Sequence, residues 1–360
     1  MKVESEARLK LLRQKIDSLD EQILDLLNQR AEMALEVGRV KSEAQRNPYN
    51  PQREEEILNR LESKNSGSLP RKAVSSIFRE IISACRSLEV ELTVVYLGPP
   101  ATHTHLAAIE RFGNSIQAFP AESIEEAFEA VERGKASFGV VPIENSTEGV
   151  VNRTLDMFID SEVKICGEIL VRISHDLLSG SGRAEKIRKI YSHPQALAQC
   201  RQWLRKNFPG AALSETASTA RAAQMAAEDK EAAAVASSLA SHLYGLKVVE
   251  SRIEDYLHNY TRFLVLSREM AERTGRDKTS LLFSISHSPG SLYEILKPFS
   301  EKVINLTKIE SRPIKDKPWE YVFFLDFEGH PTDLQVQEAL TEMKRGALFF
   351  KLLGSYPRSS

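Results

Sequence analysis

The chain has 360 residues, a formal net charge of -2 and 42% hydrophobic residues. That length suits two or three domains, and the near-neutral balance supplies no global basic field for nucleic acid or a membrane surface. No apolar run approaches the ~20 residues that span a bilayer, and Met1-Lys2-Val3-Glu4-Ser5-Glu6 carries no signal-peptide core. Cys85, Cys166 and Cys200 are isolated, with neither metal-ligand spacing nor a disulfide framework, which suits a reducing, cytoplasmic setting.

Leu9, Leu12, Ile16, Leu19, Ile23 and Leu26 recur in alternating steps near the N-terminus. The spacing predicts a long amphipathic helix whose seam repeats about every 3.5 residues. Arg30 falls on that seam, where an apolar residue belongs, and a buried charge needs a partner. Lys41 shares its face, ~16 Å further along the helix. Either Arg30 pairs with an acid of a neighbouring helix or snorkels to water, or the two cations grip a small dianion inside a bundle. Asn47-Pro48-Tyr49-Asn50-Pro51 breaks the helix. A second helix carries Arg53, Glu54, Ile57, Leu58 and Leu61. After Gly67 and Pro70, a third has Val74, Ile77, Phe78, Ile81, Cys85 and Leu88 as its apolar stripe. Glu89 sits at the edge of this stripe. Burial there would raise its pKa and keep it protonated as a donor; the alternative is that it faces water.

Beyond residue 91 the pattern alternates strand and helix, as in α/β domains. The run 92–97 reads as a strand closed by Gly98-Pro99-Pro100. Gly139-Val140-Val141-Pro142-Ile143 reads as a buried strand, and Val151, Leu155, Phe158 and Ile159 recur at helical spacing after it. The polar stretch between is expected to open that helix. Asn145, Ser146 and Thr147 there either ring an anion at the unpaired helix N–H groups or form an ordinary cap and turn. Residues 187–191 form a further strand, Ser218 and Thr219 open an alanine-rich helix, and Asn259-Tyr260-Thr261-Arg262-Phe263 leads into a strand at 264–266. His103, His105 and His193 lie in loops and are read as structural. A charged linker, Glu272-Arg273-Thr274-Gly275-Arg276-Asp277, precedes the order strand (279–286), helix (290–301), strand (303–310), strand (320–327), helix (332–345), strand (347–354). That is a ferredoxin-like βαββαβ unit, with Gly290-Ser291-Leu292 at a helix start that can receive a carboxylate.

Three resemblances follow from these residues. Leu11-Leu12-Arg13-Gln14-Lys15-Ile16-Asp17-Ser18-Leu19-Asp20 and Leu35-Glu36-Val37-Gly38-Arg39-Val40-Lys41 resemble the all-helical chorismate mutases, over nearly all of residues 6–91. The resemblance implies substrate contacts from Arg13, Arg30, Asn50, Arg53, Glu54 and Cys85, with Lys41 and Glu89 acting on the breaking ether oxygen. Asn50 stands where some members have Asp, Cys85 where some have Ser, and Glu89 where some have Gln. A pericyclic rearrangement needs no nucleophile, only a grip on two carboxylates and stabilisation of developing charge. Arg13 lies ~25 Å before Arg30 on one helix. The family resolves this with a helix-exchanged dimer, in which the partner supplies that arginine.

The stretches LGPPATHTHLAA (from Leu97), VVPIENSTEGVVN (from Val140), YSHPQALAQC (from Tyr191), STARAA (from Ser218) and NYTRF (from Asn259) resemble prephenate dehydratases. Ala101 replaces a glycine common in the first. The resemblance implies a two-lobed α/β fold like periplasmic binding proteins, with the site between the lobes. Thr261 is then the hydrogen-bond donor to the departing hydroxyl. Asn145, Ser146, Thr147, Ser218 and Thr219 hold substrate, and Arg262 anchors a substrate carboxylate or braces the cleft. Gly290, Ser291 and Leu292, with Glu310, Ser311, Arg312 and Pro313, resemble the amino-acid-binding ACT domains. This implies L-phenylalanine as allosteric inhibitor, bound between paired domains; a domain used only for dimer contacts is the alternative.

The expectation is therefore a multidomain protein: an all-α mutase (1–91), an α/β dehydratase (92–270) and an α+β ACT domain (277–357). Chorismate and prephenate are the expected substrates, and the chain is expected to form a homodimer or homotetramer. No metal, cofactor, nucleic acid or membrane partner is implied. A sensor that binds prephenate or an amino acid without turnover, and an arogenate dehydratase, are the competing readings.

Overall fold

The computed structural model describes residues 2–43, 51–256, 258–313 and 321–358. It divides into two compact units: the N-terminal stretch to Leu92 with Phe112–Gln117, and Thr93–Arg111 with Ala118–Ser360. The expected dehydratase and ACT domains thus form one unit.

The first unit holds three helices, α1 (Lys2–Glu43), α2 (Pro51–Lys64) and α3 (Arg71–Glu89). The break expected at Asn47-Pro48-Tyr49-Asn50 lies outside the described residues. Val74, Ile82 and Cys85 of α3 are buried. Gly38 lets the end of α3 approach α1, since a Cβ there would stand 3.0 Å from Glu89 Cγ. The N-terminal seam of α1 is different: Leu9, Leu12, Ile16, Leu19, Ile23 and Leu26 remain 48–63% exposed.

In the second unit, the chain forms β1 (Thr93–Leu97), α4 (His103–Phe112), β2 (Gln117–Ala121), α5 (Ile124–Glu132), β3 (Phe138–Asn145), β4 (Gly149–Val150), α6 (Asn152–Asp160) and β5 (Lys164–Arg172). A second lobe follows: β6 (Asp176–Ser179), β7 (Lys189–Ser192), α7 (Pro194–Gln199), α8 (Arg201–Asn207), β8 (Ala212–Glu215), α9 (Thr219–Glu228), β9 (Ala232–Ala236), α10 (Ser238–Tyr244) and β10 (Lys247–Glu250). The chain then returns as β11 (Tyr260–Ser267). The first-lobe sheet runs β2-β1-β3-β11-β5, and the second-lobe sheet β10-β6-β9-β7-β8. The returning strand β11 pairs antiparallel with both β3 and β5. The chain therefore crosses between the lobes after β5 and again before β11. Small residues line the second-lobe core, where Ala220, Ala223, Ala226, Ala232 and Ala234 are fully buried.

One expectation needs correction. The polar stretch after β3 does not open a helix. It forms a hairpin, with Asn145 opposite Gly149 and Glu144 opposite Val150, and α6 starts only at Asn152. Gly149 takes φ 86°, a turn conformation that glycine adopts without a Cβ clash.

The C-terminal elements are β12 (Asp277–Ser284), α11 (Ser291–Glu301), β13 (Leu306–Pro313), β14 (Tyr321–Glu328), α12 (Leu334–Gly346) and β15 (Phe349–Pro357). Their antiparallel sheet, β13-β14-β12-β15, is the expected ferredoxin-like order. Asp277, expected in the linker, begins β12, and its buried carboxylate accepts from Thr274 and Gly275. This sheet shares a core with the first lobe: Leu282, Val322, Phe324, Leu353 and Tyr356 pack with Ile165 and Leu264. At Gly354 a Cβ would stand 2.0 Å from the Ile165 carbonyl oxygen, so only glycine permits this approach of β15 to β5.

Candidate active sites

In the helical unit, Arg30, Lys41, Arg53, Glu54, Cys85 and Glu89 line one cavity of about 270 Å³. Arg30 NH1 is buried without a hydrogen-bond partner among the described residues. A buried N–H donor left unpaired is costly and is relieved by an acceptor entering the cavity. Lys41 Nζ donates to Glu89 Oε2 at 3.0 Å, which leaves the other carboxyl oxygen, Oε1, for the expected donor role. Arg13 is exposed on the distant half of α1 and does not line the cavity. Asn50 lies outside the described residues. Arg86, which residue-type reasoning missed, is 5% exposed and lines the same cavity. It donates to the Glu54 carboxylate and to the Phe112 carbonyl. It lies one turn after buried Ile82 and off the stripe of Val74, Phe78 and Cys85, so the apolar pattern alone does not mark it.

In the first lobe, Asn145 and Thr261 are cross-strand partners. Asn145 Nδ2 donates to Thr261 Oγ1 and to Asn259 Oδ1, each at 2.8 Å. Asn145 Oδ1 accepts from the backbone and hydroxyl of Thr147 and from Glu148 N. Both ends of the amide are thus fixed, and Thr261 Oγ1 is held as an acceptor. Among the described residues Thr261 donates its own proton to no group. Asn259, to which the sequence motif alone assigns no role, is 3% exposed. Ser146 bonds back to the His258 carbonyl and the Tyr260 N–H, bracing the hairpin against the start of β11. Ser218 caps α9 by accepting from Arg221 N, and Thr219 is that helix's first residue; no hydrogen bond among the described residues joins either to the Asn145–Thr261 cluster.

The histidines have structural contacts. His105 stacks on Tyr96 with centroids 4.3 Å apart and accepts from Ala101 N. His193 caps α7. His103 has its pKa lowered to about 4, chiefly by burial and then by nearby His175. Ala101 adopts φ 70°, a left-handed conformation that favours glycine, and is fully buried.

Arg262 is the second correction. Strand alternation turns it to the face opposite Thr261. Its Nε donates to Glu168 Oε2 at 2.8 Å, NH1 to Asp326 Oδ2 at 2.7 Å and NH2 to the Tyr356 hydroxyl at 3.0 Å. Burial works against its charge, but Tyr356, Asp326 and Glu168 more than offset that, so its pKa is raised. Its three nitrogens are committed to this network and not to a substrate carboxylate beside Thr261.

In the C-terminal domain, Gly290, Ser291 and Leu292 line a cavity of about 380 Å³ with Tyr293, Tyr321, Phe323 and Leu348. Glu310, Ser311, Arg312 and Pro313 do not; they lie on edge strand β13, where Arg312 NH2 pairs with Asp156 at 2.9 Å.

Cations converging in a helical cavity call for an anionic ligand, and a threonine with an undirected proton suits a leaving hydroxyl. Carried on a two-lobed α/β body with an appended small-molecule domain, these define a multidomain enzyme of small carboxylates. Family comparison matches residues 12–90 to chorismate mutase type II, 94–271 to prephenate dehydratase and 279–344 to the ACT domain. The bifunctional chorismate mutase/prephenate dehydratase of Aquifex aeolicus is 50% identical over 98% of both chains, and that of Pseudomonas aeruginosa 43% identical over 98% of both. The structure of prephenate dehydratase in complex with L-Phe from Arthrobacter aurescens has a TM-score of 0.68 and 36% identity, covering 74% of this chain and 90% of that one. The chain belongs to the bifunctional chorismate mutase/prephenate dehydratase family, and so carries both a mutase and a dehydratase.

Proposed function

We propose that residues 1–91 rearrange chorismate to prephenate, that residues 92–270 convert prephenate to phenylpyruvate, carbon dioxide and water, and that L-phenylalanine binds at residues 277–357 and inhibits. The observation that carries the dehydratase reading is the hydrogen bond from Asn145 to Thr261 Oγ1, which leaves the threonine proton for the substrate. As the carboxylate departs as carbon dioxide, its electron pair enters the ring and the hydroxyl leaves the opposite carbon. A hydrogen bond from Thr261 stabilises charge on that oxygen, which leaves at the hydroxide level and takes one proton from solvent to become water. Asn145 positions the threonine. Ser146, Thr147, Ser218 and Thr219 supply further polar groups for the pyruvyl end.

In the mutase cavity, Arg30 and Arg53 take the two carboxylates, and Lys41 with Glu89 attends the ether oxygen. Arg13 of the partner subunit completes the site in a helix-exchanged dimer, whose formation would cover the exposed α1 seam. Phenylalanine fits the cavity at Gly290, Ser291 and Leu292, with its carboxylate at the start of α11 and its ring against Tyr321 and Phe323. The edge residues Glu310–Pro313 would meet it only across a paired domain. Three separate buried thiols suit the cytoplasm.

Thr261→Ala is expected to abolish phenylpyruvate formation from chorismate while chorismate consumption continues. Loss of both activities in folded protein would refute the two-site reading. Prephenate and arogenate, compared as substrates of the same preparation, decide between the two dehydratase chemistries.

A further inference from the structure

Glu144 and Arg262 are the chain neighbours of Asn145 and Thr261, and they pair with each other across β3 and β11 as Asn145 does with Thr261. One cross-strand pair faces the dehydratase cluster and the other faces the C-terminal sheet. The back pair is tied to every strand of that sheet. Arg262 reaches Asp326 on β14 and Tyr356 on β15. Lys308 on β13 donates to Glu144, and Arg262 NH1 lies 3.5 Å from the other Glu144 oxygen. Lys278 on β12 pairs with Glu168 at 2.8 Å, and Ser280 bonds to Asp326 and Tyr356. Arg262, Glu168 and Asp326 are 7%, 8% and 0% exposed.

We propose that Glu144 and Arg262 are positioning residues for the Asn145–Thr261 pair, and that the C-terminal sheet sets the dehydratase through them. The inference rests on the assignment of Thr261 and Asn145 to the dehydratase site. Three cations (Lys278, Arg262, Lys308) meet three carboxylates (Glu144, Glu168, Asp326), so removing one member strands a charge out of water. A guanidinium is a rigid planar fork, and a sheet displacement cannot be absorbed by rotating it without losing a partner. The strain passes instead to the Arg262 backbone, one peptide from Thr261, where the strand register already shifts between Arg262 and Phe263. The domain's own cavity is lined by Tyr321 and Phe323 of β14, the strand that carries Asp326. A ligand that shifts β14 therefore shifts the group holding Arg262. Inhibition requires that the ligand bind one arrangement of this joint better than the other.

The test is the full-length Lys308→Met variant. Lys308 touches neither cavity, and its loss leaves Glu144 without the cation from β13. L-phenylalanine binding measured by calorimetry should stay within about twofold, while the concentration that half-inhibits prephenate turnover rises about tenfold. Lys308→Arg, which keeps the charge, should restore inhibition. Glu144→Gln, nearly isosteric, should lower kcat for prephenate with little change in KM. Mutase turnover in the same preparations reports that each chain is folded. Phenylalanine inhibition of Lys308→Met at wild-type concentrations, or an unchanged kcat in Glu144→Gln, overturns the proposal. Failure of the underlying site assignment is seen separately, as prephenate turnover that survives Thr261→Ala.

Discussion

Thr261 and Arg262 are adjacent in the chain and serve opposite faces of one strand. The period of two places Asn259 and Thr261 on one side and Tyr260 and Arg262 on the other. Applied strictly, that rule separates Arg262 from the Asn145–Thr261 cluster and joins Asn259 to it. What the alternation could not reveal was the partner of Arg262, because Glu168 and Asp326 come from strands distant in sequence. Arg86 is a parallel case. It lies off the apolar stripe of its helix, and its bonds to Glu54 and the Phe112 carbonyl depend on folding. Arg86→Met removes the cation that holds Glu54 in the mutase cavity. We expect a loss of about 1–3 kcal/mol in stability from the groups left unpaired and a lower mutase kcat/KM. Prephenate turnover should persist, and Glu54→Gln in the same chain should recover part of the stability. Chemical denaturation and the two activity assays check this.

Element periodicity accounts for most of what was read correctly. The long α1, the helix through Arg71–Glu89 and the six C-terminal elements follow from strong 3.6- and 2-residue patterns, with boundary shifts of a few residues. The hairpin after β3 was misread because Ser, Thr, Asn and Gly serve tight turns and helix starts alike. Asn145 Oδ1 accepts the N–H groups of Thr147 and Glu148, so those donors are not free for an anion. The exposed α1 seam carries its own prediction. If a partner helix covers it and delivers Arg13, then Arg13→Ala and Arg30→Ala chains, each inactive as a mutase, should regain activity when unfolded and refolded together. Random pairing restores about a quarter of the sites in a dimer with two shared sites. No recovery on mixing would place Arg13 outside the mutase site.

At the scale of the whole molecule, the C-terminal domain is a structural cover in addition to its proposed regulatory role. Leu282, Val322, Phe324 and Leu353 close the first-lobe core, and Gly354 brings β15 against the backbone of β5. Full burial of each such side chain contributes about 1.5–3 kcal/mol. Deleting residues 277–360 is therefore expected to remove the phenylalanine response and also to lower prephenate turnover and its thermal stability, with mutase activity retained. A truncated chain with wild-type dehydratase kcat and stability would contradict this cover.

By itself, the sequence determined the order of helices and strands, the ferredoxin-like unit, and the cations and hydroxyls proposed to recognise a dicarboxylate. These depend on local period and on residue chemistry. Only the tertiary structure decided that Arg262 faces the C-terminal sheet, that Arg86 holds Glu54, and that the Glu310–Pro313 edge stands apart from the Gly290 cavity. Each of those outcomes is a pairing between groups far apart in the chain, set by which surfaces pack when buried charges must find opposite charges.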